Sequence, residues 1–506
     1  MDRDEPLVVV GAGSAGCVVA ARVTERSDRP VVLLEAGPDY PRDEGLPEDL
    51  RDGTWNSVVQ HDWGYRHRPT RSTGTIYLPR GRVVGGSSAV NTCIALRGQP
   101  EDYDEWAALG LDDWSWEKCL PAFKRLERDL DFGGPWHGTD GPVPIRRHPS
   151  GELVPWQSAF LDACASLGFP PCPDHNEPGT TGHGPQPMNK VDGERMSAAR
   201  CYLTPEVRAR DNLTVLGDAH VRRVLFRNRR VVGVELERGS AVEVLRTRRV
   251  VLCAGAFGSL GILLRSGIGP RHQLAALGVE QTAHLPAVGA RLLDHPGAGI
   301  AILPRDGVCD PARDPLIQTT LRYTSERSRF PNDMQLEPIS WLQLKTRKMP
   351  VMLLTAMVGK PRGHGRIWFT SADPHAAPRI ESDFFLDPDD RARIVEAMEI
   401  AWLCASSPAM RELGWFLSPP ERRMTTRADI DAWIPQQCGS GYHPCGTVPM
   451  GPERSADAAV DSRGRVRGVD GLTVADASIM PTIPTANTNL PTLMIGERIG
   501  AWLRDD

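Results

Sequence analysis

Short apolar runs that end at glycine-rich turns are typical of parallel strands buried on both faces. The first run, Leu7 to Val10, is largely β-branched, and a helical pattern over residues 14–26 follows it. A second apolar run covers residues 31–34. Strand, glycine turn, helix and strand in this order predict the first βαβ unit of a doubly wound α/β sheet.

The turn after the first strand has the spacing of a dinucleotide-binding site. Gly11, Gly13 and Gly16 fit G-x-G-x-x-G, whose glycines permit a tight turn, close approach to a pyrophosphate and helix–strand packing. Ser14 begins the helix whose N-terminus would face the phosphates. Glu35 follows the second strand, where a carboxylate accepts hydrogen bonds from a ribose. The acid favours FAD or NAD over NADP, and a tight turn without a ligand is the alternative interpretation.

Later segments repeat the pattern of the first domain. A strand over residues 249–253 reaches a glycine turn before a helix over residues 259–264, so we expect the same parallel sheet to resume there. A strand region over residues 460–476 and a helix over residues 488–504 are predicted to end the chain.

The pattern differs over residues 298–439. Apolar strands at residues 300–303, 352–355 and 366–369 alternate with proline-rich loops, and one long helix is predicted over residues 388–406. This arrangement predicts an α+β layer built on an antiparallel sheet, which covers the first domain.

Composition narrows the function classes. The 506 residues are 40% hydrophobic and 24% charged with a net charge of −5, which is ordinary for two or three globular domains. Without a long basic block, a nucleic-acid partner is not expected. The sequence has no long apolar run and no leader pattern, so we expect a cytoplasmic protein without a membrane span. The eleven cysteines lack C-x-x-C spacing, and no metal site is predicted.

Three further stretches carry a family resemblance. Residues 81–98, with the adjacent glycines and serines of GRVVGGSSAVN, resemble the first signature of the glucose–methanol–choline (GMC) family of flavin-dependent oxidoreductases. Residues 255–269 are similar to its second signature, although Leu260 stands where the family prefers proline or serine. Residues 464–500 resemble its C-terminal signature. Within this family, the sequence resembles the choline dehydrogenase-like, aryl-alcohol oxidase-like and hydroxymethylfurfural oxidase-like members.

The resemblance implies two domains with the reaction between them. A discontinuous FAD-binding, Rossmann-like domain is expected from residues 1–145, 196–297 and 440–506. An α+β substrate-binding domain on an antiparallel sheet is expected from residues 146–195 and 298–439.

The resemblance also selects FAD as the cofactor. Val90 stands where some relatives carry a histidine bonded to the flavin, so we expect FAD that is bound without a covalent link and released by acid or heat. The N-terminus of the last helix is expected beneath the pyrimidine edge of the flavin. The residues expected to bind FAD are Gly11, Gly13, Ser14, Gly16, Glu35, Ala36, Arg82, Gly86, Ser87, Val90, Asn91, Thr92, Val221, Ala254, Asp476, Ala477 and Thr488.

Two residues match the catalytic pair of the family. Alcohol oxidation needs a base for the hydroxyl proton while the hydride leaves for flavin N5, and histidine suits that task. His443 matches the catalytic histidine, with a buried structural histidine as the alternative, and Asn487 matches its partner. Asn489 is the competing assignment for the partner, because the motif offers two asparagines.

The resemblance predicts oxidation of a primary alcohol to an aldehyde, with electrons passing to oxygen, a quinone or a redox carrier. A mycofactocin-linked dehydrogenase, a hydroxynitrile lyase, a fatty-acid photodecarboxylase and a non-catalytic flavin-binding partner are the alternatives. Choline is disfavoured because residues 317–323 contain no acid, and Glu337 is the nearest carboxylate. Trp341, Trp415, Phe416 and Tyr442 are candidates for an aromatic substrate pocket.

Overall fold

The computed structural model describes residues 5–26, 28–421 and 426–506. Within these ranges, no helix combines the length and apolar character needed to cross a bilayer. The α-helices are α1 (Ser14–Val23), α2 (Glu48–Arg51), α3 (Pro100–Ala108), α4 (Trp116–Leu126), α5 (Pro155–Ser166), α6 (Ala198–Tyr202), α7 (Pro205–Arg208), α8 (Gly255–Arg265), α9 (Arg271–Leu277), α10 (Pro388–Ser406), α11 (Pro408–Arg411), α12 (Arg427–Gln437) and α13 (Asn489–Asp505).

The strands form three larger sheets and several short ladders. Those of the larger sheets are β1 (Leu7–Val10), β2 (Val31–Leu34), β3 (Gly182–Pro185), β4 (Leu213–Leu216), β5 (Ala219–Arg227), β6 (Arg230–Arg238), β7 (Ala241–Arg246), β8 (Arg249–Leu252), β9 (Pro296–Pro304), β10 (Thr319–Tyr323), β11 (Met334–Ile339), β12 (Met352–Val358), β13 (Gly414–Ser418), β14 (Gly439–Ser440) and β15 (Leu472–Val474). The ladders pair Arg66–His67 with Ile76–Tyr77, Glu127–Asp129 with Val143–Ile145, Lys190–Val191 with Glu194–Arg195, Ile268–Gly269 with Ala283–His284, Leu342–Leu344 with Arg347–Met349, and Arg366–Trp368 with Arg379–Glu381.

The first domain is built on a five-stranded sheet in the order β4-β2-β1-β8-β15, and every pairing in it is parallel. All four residues of β1 are buried, as a strand covered on both faces requires. The predicted doubly wound sheet is therefore confirmed. A separate antiparallel sheet is formed by β5, β6 and β7.

Helices α1 and α13 pack side by side, although they are separated by most of the chain. A Cβ added at Gly496 would lie 3.0 Å from the carbonyl oxygen of Ala15, so a side chain there would crowd the close approach of the two helices. Arg22 of α1 and Glu497 of α13 form an ion pair at 2.8 Å. Because the helices run in the same direction, their N-termini lie at the same edge of the parallel sheet.

The second domain is built on an antiparallel sheet in the order β13-β9-β12-β11-β10-β3, with β14 also paired to β9. Side chains alternate between its faces. Ile300, Leu354 and Leu336 lie in a core shared with α5 and α10. Gly299, Thr355 and Glu337, which are aligned across β9, β12 and β11, lie on the opposite face. The predicted antiparallel sheet is confirmed, whereas the residue limits of the two domains stay a prediction.

Two predicted strands differ in the structure. Within residues 460–476 only β15 is a continuous strand, because Gly464, Gly468 and Gly471 take positive φ angles of 76°, 76° and 86° that interrupt an extended chain. The strand predicted at residues 366–369 pairs only with Arg379–Glu381 and lies outside the large antiparallel sheet.

A buried network of charges ties residues 127–147 to the segment around Asp174. The two ring nitrogens of His137 lie 2.8 Å from Asp174 Oδ2 and 3.1 Å from Asp129 Oδ2, so the ring donates from both sides as a cation. Arg147 pairs with the same two aspartates at 2.6 Å and 2.9 Å. Burial lowers the pKa of His137, but its hydrogen bonds to Asp129, Asp174 and Glu127 outweigh burial and raise that pKa from 6.5 to about 10.

This raised pKa predicts a pH dependence of stability. Because the pKa is higher in the folded state than in the unfolded one, the stabilisation is complete below pH 6.5 and is lost as the pH rises through about 10. The His137→Leu variant should lose about 3–5 kcal/mol at neutral pH, because the carboxylates lose a buried partner. Its melting temperature should also depend less on pH between 7 and 10 than that of the wild type, measured by calorimetry.

A leucine at the exposed His284 is the matched control and should leave the pH profile unchanged. Equal slopes of melting temperature against pH in wild type and His137→Leu would contradict the assignment.

Candidate active site between the two sheets

A cavity of ≈ 740 Å³ lies between the carboxyl edge of the parallel sheet and the open face of the antiparallel sheet. Its size is within the range of small-molecule and cofactor sites. Parallel strands place the residues that follow them at one edge, where ligands bind in α/β folds. The predicted residues that line the cavity are Gly11, Gly13, Ser14, Glu35, Ala36, Gly86, Ser87, Val90, Asn91, Thr92, Val221, Ala254, His443, Asp476, Ala477, Asn487 and Thr488.

Gly16 and Arg82 are the two predicted cofactor residues that are not part of the cavity wall. A Cβ at Gly16 would lie 1.8 Å from the carbonyl oxygen of Gly11, so this glycine permits close packing of α1 on the preceding turn. The guanidinium group of Arg82 lies over the ring of Trp63, with 5.0 Å between the guanidinium carbon and the ring centroid.

Glycines form the floor of the cavity where it meets the parallel sheet. Gly11 has a φ of +95°, and a Cβ there would lie 2.6 Å from the carbonyl oxygen of Cys253. A Cβ at Gly86 would lie 2.6 Å from Gly13 Cα, so the first glycine turn and the second glycine-rich segment meet backbone to backbone. Bare backbone on both sides gives a ligand access to peptide N–H groups.

Two helix N-termini open onto this floor without a side-chain cap. Gly13 precedes α1 and Thr488 precedes α13, and neither residue supplies a side-chain capping hydrogen bond. Neither helix has an acidic residue in its first turn. Ser14 Oγ donates to Asn489 Oδ1 at 2.7 Å and joins the two termini. Uncapped N–H groups and the positive ends of two helix dipoles favour a bound anion such as a diphosphate.

Two carboxylates flank the floor. Glu35 accepts hydrogen bonds from the N–H groups of Ala12 at 2.9 Å and Gly37 at 3.0 Å, which fix the acid at the end of β2. Burial raises the pKa of Glu35 to about 7, although these N–H groups lower it. Burial also raises the pKa of Asp476, whose oxygens accept hydrogen bonds from Gly255 N–H at 2.9 Å and from Ser259 Oγ at 2.6 Å.

His443 and Asn487 are in contact in the wall of the cavity. Asn487 Nδ2 lies 3.0 Å from His443 Nε2, whereas Asn489 is engaged by Ser14. Asn487 Oδ1 is buried and has no hydrogen-bond partner among the described residues. Burial lowers the pKa of His443 well below its usual value, and the nearby positive charge of Arg80 lowers it further. The imidazole is therefore neutral at physiological pH.

Hydrogen bonds to Thr485 hold the loop that carries Asn487 in place. Asp102, near the start of α3, accepts hydrogen bonds from the N–H and hydroxyl groups of Thr485 at 2.9 Å and 2.7 Å. Arg322 Nη2 of β10 donates to the Thr485 carbonyl at 2.7 Å, and Lys360 lies 3.0 Å from Asp102. Helix α3 and the antiparallel sheet therefore both help to fix the position of Asn487.

A second histidine, His295, lies behind His443 and was not predicted from the sequence. The two Nδ1 atoms are 2.8 Å apart, and His295 Nε2 lies 3.0 Å from the carbonyl oxygen of Pro484. The two histidines are 148 positions apart, and no local pattern links them. The Asp294-His295-Pro296 sequence, which leads into β9, is the only signal that could have drawn attention to it.

The substrate side of the cavity has an apolar wall with one carboxyl group on the sheet face. Gly299, Thr355 and Met357 line this wall with Glu337. Glu337 Oε1 accepts hydrogen bonds from Gln335 Nε2 at 2.6 Å and from Gln186 Nε2 at 2.9 Å. Burial raises the pKa of Glu337 to about 7, although these two amides lower it.

Two of the four aromatic residues that were predicted for the substrate pocket line the cavity, and two do not. Trp341 and Tyr442 line the cavity. Trp415 does not, because it lies on β13 and is 47% exposed. Phe416 instead stacks on Trp402 of α10 with 4.1 Å between ring centroids.

Comparisons with known proteins agree with this architecture. Family models described as GMC oxidoreductase match residues 6–297 and 361–496. The chain is 35% identical to a 5-(hydroxymethyl)furfural oxidase of a Methylovorus species, and the match covers 97% of both proteins. It is 32% identical to an oxygen-dependent choline dehydrogenase of Photobacterium profundum, over 98% of this chain and 92% of that one.

Among solved structures, the pyridoxine 4-oxidase from Mesorbium loti is similar with a TM-score of 0.90 and 29% identity, over 99% of both chains. The matches to the family models and to these relatives extend over the glycine turn, the cavity and the segment that carries His443 and Asn487. The chain belongs to the GMC oxidoreductase family.

Proposed function

We propose that this chain uses FAD to oxidise a primary alcohol to an aldehyde, with His443 as the base that takes the hydroxyl proton. The observation that carries the proposal is the contact of 3.0 Å between His443 Nε2 and Asn487 Nδ2 at the wall of the cavity. A neutral imidazole and an amide at this spacing can bind one hydroxyl group together.

The residues of the glycine-lined floor suit FAD, the cofactor of the family. The uncapped N-termini of α1 and α13 match an anionic diphosphate and a flavin that becomes negative on reduction. We assign Gly11 and Gly13 to the pyrophosphate, and Glu35 to a ribose. Bound FAD supplies the hydride acceptor at flavin N5. We also propose that FAD is bound without a covalent link, because the position of Val90 offers no nucleophile.

His443 has the chemistry that the proton transfer requires. Its lowered pKa keeps the ring neutral, so a lone pair is available on the imidazole. His443 Nε2 has a single lone pair, so the substrate hydroxyl would replace Asn487 Nδ2 as the donor to this nitrogen. The hydroxyl proton would then move to Nε2 as the carbinol hydride departs.

Asn487 would orient the hydroxyl group and would not take its proton, because an amide is not a base. Its Nδ2, which lies 3.0 Å from His443 Nε2, would donate to the substrate oxygen once the hydroxyl group takes its place at that nitrogen. The competing residue, Asn489, accepts a hydrogen bond from Ser14 and so supports the helix N-termini. These contacts favour Asn487 as the second catalytic residue.

The substrate class follows from the open face of the antiparallel sheet. Both glutamine amides contact Glu337 Oε1, and neither of them reaches Oε2 of this buried carboxyl group. Because its pKa is raised to about 7, Glu337 is ionised only in part at neutral pH, and a bound cation or hydrogen-bond donor at Oε2 would favour its charged form. We therefore propose an alcohol whose far end carries a positive charge or a donor group. The named relatives include enzymes for choline and pyridoxine, which have such groups.

We propose oxygen as the final electron acceptor. Two relatives are named as oxidases and a third as an oxygen-dependent dehydrogenase. Nothing in the described residues favours a lyase or a photodecarboxylase over alcohol oxidation.

The base assignment predicts the behaviour of His443→Ala. The variant should keep bound FAD, because the ring contacts the substrate end of the cavity, and should lose 10²–10⁴-fold in the rate of flavin reduction, the usual contribution of a general base. Anaerobic stopped-flow absorbance measures this rate. The His284→Ala variant, changed at an exposed site, is the control, and a wild-type rate in His443→Ala would end the assignment.

The role of Glu337 predicts a change in specificity. Choline and 3,3-dimethylbutan-1-ol have nearly the same shape and differ in charge, so their kcat/KM ratio isolates the effect of charge. In Glu337→Gln this ratio should fall by about tenfold or more, equivalent to about 1.4 kcal/mol. The variant keeps an oxygen for Gln186 and Gln335, which limits structural change. An unchanged ratio would show that the carboxylate does not face the substrate.

A further inference from the structure

We propose that His295 is a positioning residue that holds His443 in the tautomer with its proton on Nδ1 and a lone pair on Nε2. This inference rests on the proposed function, because it concerns the base of that reaction. It assigns the state of the base before substrate binds, which the contact between His443 and Asn487 alone does not determine.

The first step is the proton on His295 Nε2. This atom lies 3.0 Å from the carbonyl oxygen of Pro484. A carbonyl can only accept a hydrogen bond, so Nε2 carries the proton. In a neutral ring, His295 Nδ1 is then an acceptor.

The second step is the charge of the two rings. Both are buried inside the protein, with His295 3% and His443 8% exposed. Burial lowers the pKa of His295 to about 4 and lowers that of His443 well below its usual value. Asp294, the adjacent carboxyl group, accepts hydrogen bonds from backbone N–H groups and from Ser440. It therefore stabilises the loop and is not an ion-pair partner of either ring.

The third step is the contact between the rings. His295 Nδ1 and His443 Nδ1 are 2.8 Å apart, which requires one proton between them. Since His295 Nδ1 is the acceptor, the proton belongs to His443 Nδ1. A neutral His443 then has its lone pair on Nε2, where Asn487 Nδ2 donates at 3.0 Å. The chain of hydrogen bonds has one donor and one acceptor at every contact.

The backbone around the two histidines holds their Nδ1 atoms in contact. Asp294 Oδ1 accepts hydrogen bonds from the N–H groups of His295 and His443, both at 2.9 Å. A Cβ at Gly441 would lie 3.0 Å from His443 Nδ1 and 3.2 Å from His295 Cβ, so a side chain there would crowd both histidines. The rings meet edge to face at 76° with their centroids 5.0 Å apart.

The arrangement prepares the base for one proton transfer. When the substrate O–H bond breaks, its proton forms a new N–H bond at His443 Nε2. The resulting imidazolium keeps its Nδ1–H directed at the neutral acceptor His295 Nδ1, which stabilises the positive charge. In the other tautomer, the two Nδ1 lone pairs would face each other, and Nε2 would be unable to take the proton.

The test compares His295→Leu with His295→Gln in the holoenzyme. Leucine fills the site without an acceptor, whereas glutamine offers an oxygen to His443 Nδ1. Hydrogen-bond partners of metal-bound histidines contribute about 10–100-fold to affinity or activity, and we take the same range for the partner of His443. We expect His295→Leu to lose about that factor in the rate of flavin reduction at saturating alcohol, with KM little changed, and His295→Gln to recover most of it.

Bound FAD and the melting temperature are measured on both variants to separate positioning from structure. A wild-type reduction rate in His295→Leu would overturn the proposal. So would equal slowing in both variants at equal melting temperatures, because a packing role does not distinguish an acceptor from a methyl group. The His443→Ala variant separates the two claims: if it also reduces flavin at the wild-type rate, the proposed function fails as well.

Discussion

The parallel pairing of β1 with β2 and β8, and of β8 with β15, is the constraint on which the site depends. It aligns Val10, Leu34, Leu252 and Val474 at one edge, although they are up to several hundred residues apart in the chain. The residues that follow these strands therefore lie side by side along the carboxyl edge of the sheet. The glycine turn, Glu35, Ala254 and Asp476 all meet the same cavity for this reason. The packing of α13 on α1 adds a second helix N-terminus to that edge.

Proton abstraction requires a neutral base that is shielded from water, and the fold provides one by burying two imidazole rings. Burying imidazole rings disfavours their charged form, so His443 and His295 need partners that accept or donate without adding charge. The Pro484 carbonyl and the Asn487 amide are such partners. Asp102 and Arg322 fix the loop that presents both of them, so the substrate-side domain helps to set the geometry of the base.

The local parts of the site could be read from the sequence, and the long-range parts could not. The glycine fingerprint and Glu35 lie within one βαβ unit, so their spacing alone predicts their place. Asn487 and Asn489 are two residues apart, and only the folded loop shows that one faces His443 and the other Ser14. His295 contacts His443 across the chain without any shared motif. Glu337 lies on a strand buried at almost every position, so no alternation of polar residues reveals its face.

The central claim is that an alcohol reduces flavin held in this cavity, and an anaerobic titration tests it most directly. Purified holoenzyme is titrated with primary alcohols that differ in charge while the visible absorbance of the flavin is followed, and air is then admitted. The account predicts bleaching by an alcohol with a cationic or donor group, followed by rapid recovery in air. Bound FAD that no alcohol bleaches would contradict alcohol oxidation as the function of this chain.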